Sequence, residues 1–186
     1  MIGYAFCGSF CTLSRSLDVL KKLKNKGYDI QPIFSERVWQ TDTRFGKAAD
    51  FAAEVEAVCG RPIVHTVVDA EPFGPHTPLD ALILAPCTGN TLAKLASGIT
   101  DTAVTMAAKA HLRSDRPLLV ALATNDAMSQ NLGSIAKLLC RKSVYFVPLK
   151  QDDPLHKPHS LVAKMEELPE ALEAALRGQQ LRPLFV

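Results

Sequence analysis

The sequence predicts an α/β protein: a three-layer, doubly wound parallel sheet with helices on both faces. Short aliphatic runs of strand length alternate with segments of helical apolar spacing along the whole chain. Several of these runs are apolar on consecutive residues, as strands covered on both faces require. The run Ala81-Leu82-Ile83-Leu84-Ala85 then passes through Pro86 into small hydroxyl and amide residues and straight into the helical pattern Leu92, Leu95, Ala96. With 186 residues, 47% hydrophobic and 22% charged, the chain has the length of one domain, 1–186, able to bury a proper core.

Taken in order, Ile2–Cys7 reads as the first strand and Gly8-Ser9-Phe10-Cys11-Thr12 as the turn after it. Leu13, Leu17, Leu20 and Leu23 keep helical spacing until Gly27 stops the helix. Asp29 to Phe34 is a second strand, and its Pro32 marks an edge or an irregular strand. Phe45 to Val58 is helical, with Phe45, Ala48, Ala49, Ala52 and Val55 offered to a buried face, and Pro62 to Val67 is a short third strand. Pro72, Pro75 and Pro78 make Asp69–Pro78 a loop. The strand Ala81–Ala85 follows, then a helix from Asn90, and Asp101 as N-cap of a helix through Ala110. Pro117–Ala123 is a buried strand, Asn131–Cys140 a helix, Ser143–Val147 the last strand and Leu161–Leu176 a closing helix.

A formal charge of +2 shows no nucleic-acid bias, and three Tyr with one Trp offer no stacking platform. Lys21, Lys22, Lys24 and Lys26 fall at a helix end, where cations favour the dipole. No apolar run approaches the roughly 18 residues of a membrane span. The chain starts directly in a strand-like segment, which reads as a cytoplasmic protein. Cys7, Cys11, Cys59, Cys87 and Cys140 are odd in number and scattered, as free thiols in a reducing compartment.

In a doubly wound sheet, ligands bind at the carboxyl ends of the strands where strand order reverses. Gly8–Thr12, Ser35, Pro86–Thr91 and Thr124-Asn125-Asp126 all follow predicted strands, so the topology collects them on one rim. Thr88-Gly89-Asn90-Thr91 clusters donors at a helix N-terminus, a place suited to a phosphate. Lys94, one turn on, either faces the same anion or is solvated. Asn125 either bonds a ring heteroatom or carboxylate or starts a turn. There is no G-x-G-x-x-G dinucleotide fingerprint and no phosphate loop of the G-x-x-x-x-G-K-[ST] type. No nucleophile–base arrangement and no metal site stand out: Cys7 and Cys87 read as inert, and His156 and His159 as solvated.

The segment Ala85–Asp101 resembles the A-P-x-x-x-N-T-x-x-K-x-x-x-G-x-x-D signature of a flavoprotein family that includes the flavin-dependent cysteine decarboxylases. That resemblance implies a flavodoxin- or Rossmann-like fold, a homo-oligomer, and an FMN site. Gly8, Ser9, Ser35, Thr88, Asn90 and Thr91 match the positions that contact the phosphate and ribityl chain. The family's catalytic histidine falls on Pro72, with His76 displaced, and its P-x-M-N-x-x-M-W motif is here Leu122-Ala123-Thr124-Asn125-Asp126-Ala127-Met128-Ser129. Decarboxylation of a cysteine is therefore not expected.

Further stretches resemble the B subunits of dipicolinate synthases: Thr41–Gly46, Ala70–Pro75, Thr124–Ala127, Gln151–Pro154 with Lys157-Pro158, and Val162–Met165. This implies a sporulation enzyme of the mother-cell cytoplasm, paired with an A subunit that carries NADP. The joint product would be pyridine-2,6-dicarboxylate, formed from a dihydro or hydroxytetrahydro precursor of the lysine pathway. Asn125 is then the expected catalytic residue. The alternatives are a non-catalytic assembly partner, or a stand-alone FMN decarboxylase or prenyltransferase. A dicarboxylate substrate needs cationic clamps; Arg44, after the second strand, is either that clamp or a surface residue paired with Asp42.

Overall fold

The computed structural model describes residues 1–186. β1 (Ile2–Phe6) is buried along its length, and Phe10–Thr12 forms a single 3-10 turn leading into α1 (Leu13–Asn25). β2 (Ile30–Phe34), α2 (Glu36–Gln40), α3 (Ala48–Cys59) and α4 (Val67–Ala70) precede the second long buried strand, β3 (Ala81–Cys87). α5 (Gly89–Ser97), α6 (Ala103–Leu112), β4 (Leu118–Thr124), α7 (Leu132–Leu139) and β5 (Val144–Phe146) follow. β6 (Leu149–Lys150), β7 (Leu161–Ala163) and α8 (Leu168–Leu176) complete the chain.

Strands β2-β1-β3-β4-β5 run parallel in that order. α1, α3 and α8 pack on one face, and α4, α5, α6 and α7 on the other. This is the doubly wound architecture that the alternation of patterns implied. The direction of winding reverses between β1 and β3, so the helices after these neighbouring strands depart to opposite faces. Beyond β5, the remaining edge of β4 pairs antiparallel with β7, which pairs with β6.

One buried polar chain ties α1 to this reversal point. The Tyr4 hydroxyl donates to Ser16 at 2.9 Å, and Ser16 Oγ donates to the carbonyl of Ala85 at 2.5 Å. Burial raises the Tyr4 pKa well beyond its ordinary value, so the phenol stays a donor. A buried hydroxyl left without a partner costs about 1–3 kcal/mol, so these three groups hold one another in place.

Several elements differ from those the sequence predicts. Pro62–Val67 is not a strand; only Val64 bridges Ile33, donating to the Pro32 carbonyl at 3.1 Å. Pro32 presents its missing N–H to this same edge, so the ladder cannot continue. The closing helix starts at Leu168, not Leu161, and Leu161–Ala163 is a strand. Pro169 decides this: it fits the first turn of a helix and would break the middle of one. Thr102, not Asp101, caps α6, in a reciprocal pair with Thr105, while Asp101 pairs with Lys94 at 2.8 Å. Phe45 is 56% exposed, because Thr43–Gly46 is a tight turn and α3 starts after it, with Asp42 accepting from Ala48 N at 2.9 Å. α2 and α4 were not expected.

His111 closes α6 onto the next strand. It is 1% exposed and shares a 2.9 Å hydrogen bond with the carbonyl of Pro117. Burial lowers its pKa from 6.5, so the folded protein holds it neutral. The unfolded chain therefore binds the extra proton more readily. His111 stability is full above about pH 6.5 and is lost as pH falls. His111→Gln keeps a donor to Pro117 and is expected to flatten the fall in melting temperature between about pH 7 and pH 5; an unchanged slope would remove His111 as its cause.

Candidate functional site

Two polar cavities meet at the carboxyl ends of β1 and β3. The first, of about 660 Å³, lies over Gly8, Ser35, Thr88, Asn90 and Thr91, with Glu36, Arg37 and Lys94 as the charged residues of its lining. The second, of about 540 Å³, shares Gly8, Thr88 and Asn90 and extends over Ser9, Arg15 and Asn125 to Lys157. Four turns distant in sequence thus converge on one rim. An apolar cavity of about 400 Å³ between α1, α2 and α3 touches this rim only through Phe10. The donor groups lie in the polar pair, and the chemistry belongs there.

Each donor is placed by local structure. Thr88 caps α5, its Oγ1 accepting from Thr91 N at 3.2 Å. That cap leaves the N–H groups of Gly89 and Asn90 without a partner in the protein. Ser35 begins α2, and its carbonyl accepts from Val38 N and Trp39 N, both at 3.0 Å. Its side chain does not cap the helix: Ser35 is 8% exposed and its Oγ has no partner. A buried hydroxyl without a partner, lining a polar cavity, is a group waiting for a ligand. At Gly8 a Cβ would lie 3.3 Å from Arg37 Cβ and 3.6 Å from the Phe10 ring. The turn is thus narrow enough for backbone to reach a ligand.

Behind α5 stands a network that the sequence did not reveal. Thr124 Oγ1 donates to Asp126 Oδ1 at 2.5 Å, and Asn131 Nδ2 donates to both carboxylate oxygens at 3.1 and 3.0 Å. The Thr124 hydroxyl, and after it Asn131, hold the Asp126 carboxyl below its ordinary pKa. Gly89 packs directly onto these three residues. A Cβ there would stand 2.5 Å from Thr124 Oγ1, 2.7 Å from Asn131 Nδ2 and 2.9 Å from Asp126 Oδ1. The carboxylate also occupies the positive end of the α5 dipole. An anion at the rim therefore depends on discrete N–H and hydroxyl donors and on nearby cations more than on that dipole.

The cations differ in availability. Lys94 is half-buried and held by both oxygens of Asp101 at 2.8 Å. Lys157 is held by Asp152 at 2.7 Å. Arg37 and Arg15 line the first and second cavity, and neither has an acidic partner. Both were missed, although each stands two or three residues after a rim hydroxyl, Ser35 and Thr12. Arg44 is not brought to the rim. It lies exposed on the Thr43–Gly46 turn with its guanidinium 4.9 Å over the Phe45 ring, and Asp42 is engaged elsewhere. Pro72 and His76 line neither cavity. Cys7 and Cys87 are buried beneath the rim, and the contact with Cys7, then burial, keep the Cys87 thiol protonated.

A model of the Flavoprotein family matches residues 1–174. The chain is 42% identical over 185 residues to the B subunit of dipicolinate synthase from Bacillus subtilis (strain 168), covering 100% of this chain and 92% of that one. Among solved structures, the B subunit of dipicolinate synthase from Bacillus halodurans C superposes with a TM-score of 0.91 at 44% identity, over 100% of this chain and 95% of its own. The FMN-dependent cysteine decarboxylase SpaF superposes with a TM-score of 0.68 at 20% identity, over 95% and 94%. At that identity the likeness concerns the fold.

Gly89→Ala tests the close approach behind α5. The added methyl must displace a polar network with no free space, so a loss of about 1–3 kcal/mol in unfolding free energy is expected. Denaturant titration checks it; a midpoint equal to that of the wild type would mean that the approach is looser than described.

Proposed function

The chain belongs to the Flavoprotein family, and on that premise we propose that it works as the flavin-binding subunit of a dipicolinate synthase. The observation that carries this reading is the first rim cavity, whose lining includes Ser35, a residue with a buried hydroxyl that nothing in the protein satisfies. An FMN phosphate fits this donor set. Ser35 would supply a hydroxyl, Asn90 an N–H group and the unpaired Arg37 charge, with Ser9 and the Gly89 N–H reaching in from the adjoining second cavity. Asn90 and Thr88 would hold the ribityl chain. When bound, FMN would supply a two-electron carrier.

The chain's own residues then hold the substrate. Asn125 leaves β4 at the second cavity with an exposed amide that can both donate and accept, suited to orienting a ring heteroatom or a carboxylate. Conversion of a dihydropyridine dicarboxylate to the aromatic product removes a hydride and a proton. No segment of this chain has the glycine fingerprint for a nicotinamide, so in this reading the hydride passes to NADP on a second, different subunit. Kinship to proteins named for one lettered subunit of an enzyme supports such a partner.

The function is tested by reconstituting the chain with its partner and following dipicolinate formation. Asn90→Ala and Asn125→Ala are expected to lose most activity while the two proteins still co-purify; full activity in both variants would leave only an assembly role. The FMN site has its own test. Ser35→Ala removes a hydroxyl that makes no bond in the ligand-free fold, so its melting temperature should not fall. Its FMN affinity should drop by about 5–15-fold, the worth of one hydrogen bond. Equal affinity in flavin-fluorescence titrations would take Ser35 out of the site.

A further inference from the structure

The second cavity holds a cation that the fold does not explain. Of the three charged residues lining it, Lys157 and Asp152 are taken up with each other, and Arg15 alone has no acidic partner. Arg15 also stands in the first turn of α1, a turn with no acidic residue. A cation at that end of a helix opposes the dipole. Arg15 is exposed, and no acidic side chain of the protein pairs with it.

The rest of the lining says what would. Thr12, Thr88, Asn90, Thr124 and Asn125 give hydroxyl and amide groups along one side. Ala123, Val162, Ala163 and Met165 give an apolar wall where β4 and β7 pair. A volume of about 540 Å³ lies within the usual range for a small-molecule site. The segment from Gln151 to Ser160, which adds Asp152 and Lys157 to the lining, is folded on itself, with Lys157 N donating to Asp153 O at 2.7 Å and Gln151 Nε2 to Pro158 O at 3.1 Å. That fold brings Lys157 into the same cavity lining as Arg15. Its ion pair with Asp152 is an exposed one, of small worth and open to exchange.

We propose that this cavity binds a small ring-bearing dicarboxylic acid, with Arg15 as the primary carboxylate anchor and Lys157 taking the second carboxylate in exchange for Asp152. The proposal rests on the reading of the rim as a substrate site, and it moves the carboxylate clamp from Arg44 to Arg15. A guanidinium fits a carboxylate through two parallel N–H bonds, whereas the lysine acts as a point charge. Arg15 therefore sets affinity, and Lys157 sets the preference for two carboxylates over one.

The test is calorimetric titration of the purified protein with pyridine-2,6-dicarboxylate and pyridine-2-carboxylate, and separately with FMN. Arg15→Ala is expected to weaken the dicarboxylate by at least about tenfold, the loss of a charge-assisted pair. Arg15→Lys should restore part of it, and Lys157→Ala should bring the two acids to similar affinity. FMN binding should be unchanged in all three variants. Wild-type protein that binds neither acid, or an Arg15→Ala variant that binds the dicarboxylate as well as wild type, would overturn the proposal. Absence of FMN binding, with the dicarboxylate still held through Arg15, would refute the flavin reading and support this one.

Discussion

The site exists because winding reverses between two neighbouring strands. β1 sends its chain to α1 on one face and β3 sends its chain to α5 on the other, so no crossover covers the crevice between their carboxyl ends. Everything assigned here to ligand binding is a consequence of that gap: the Gly8 turn, the free N–H groups of α5, and the nearness of β2 and β4 on either side. The same residues on strands wound in one direction would be buried beneath helices.

Keeping the gap open demands rigidity on both flanks. On one, Tyr4 and Ser16 fasten α1 to the carbonyl of Ala85, in the last turn of chain before the rim. On the other, Gly89 lets α5 approach the Thr124–Asp126–Asn131 network within the space a methyl group would need. The second device has an electrostatic consequence. Asp126 already satisfies the helix dipole, so an incoming phosphate must be met by individual donors and by Arg37.

The order of strands and helices was legible because buried parallel strands are written as continuous aliphatic runs, as in Ala81–Ala85 and Leu118–Ala123. The positions on the rim were legible too, since Gly8, Ser35, Thr88 and Asn125 each follow a predicted strand. Failures came where one residue's covalent chemistry outweighs periodicity. Pro32 cut the expected third strand to a single bridge, and Pro169 moved the start of the last helix by seven residues. Arg15 and Arg37 escaped notice for another reason. Their significance lies in lacking a partner, and only a three-dimensional arrangement shows which charges are paired.

The central claim is that a phosphate anchors a flavin at the β1/β3 crevice. It is tested most directly by titrating the protein with FMN and with riboflavin, which differ only in that phosphate, and following quenching of flavin fluorescence. Several donors and an unpaired guanidinium acting on one dianion predict FMN bound at least about a hundredfold more tightly. Equal affinities for the two flavins would contradict the account.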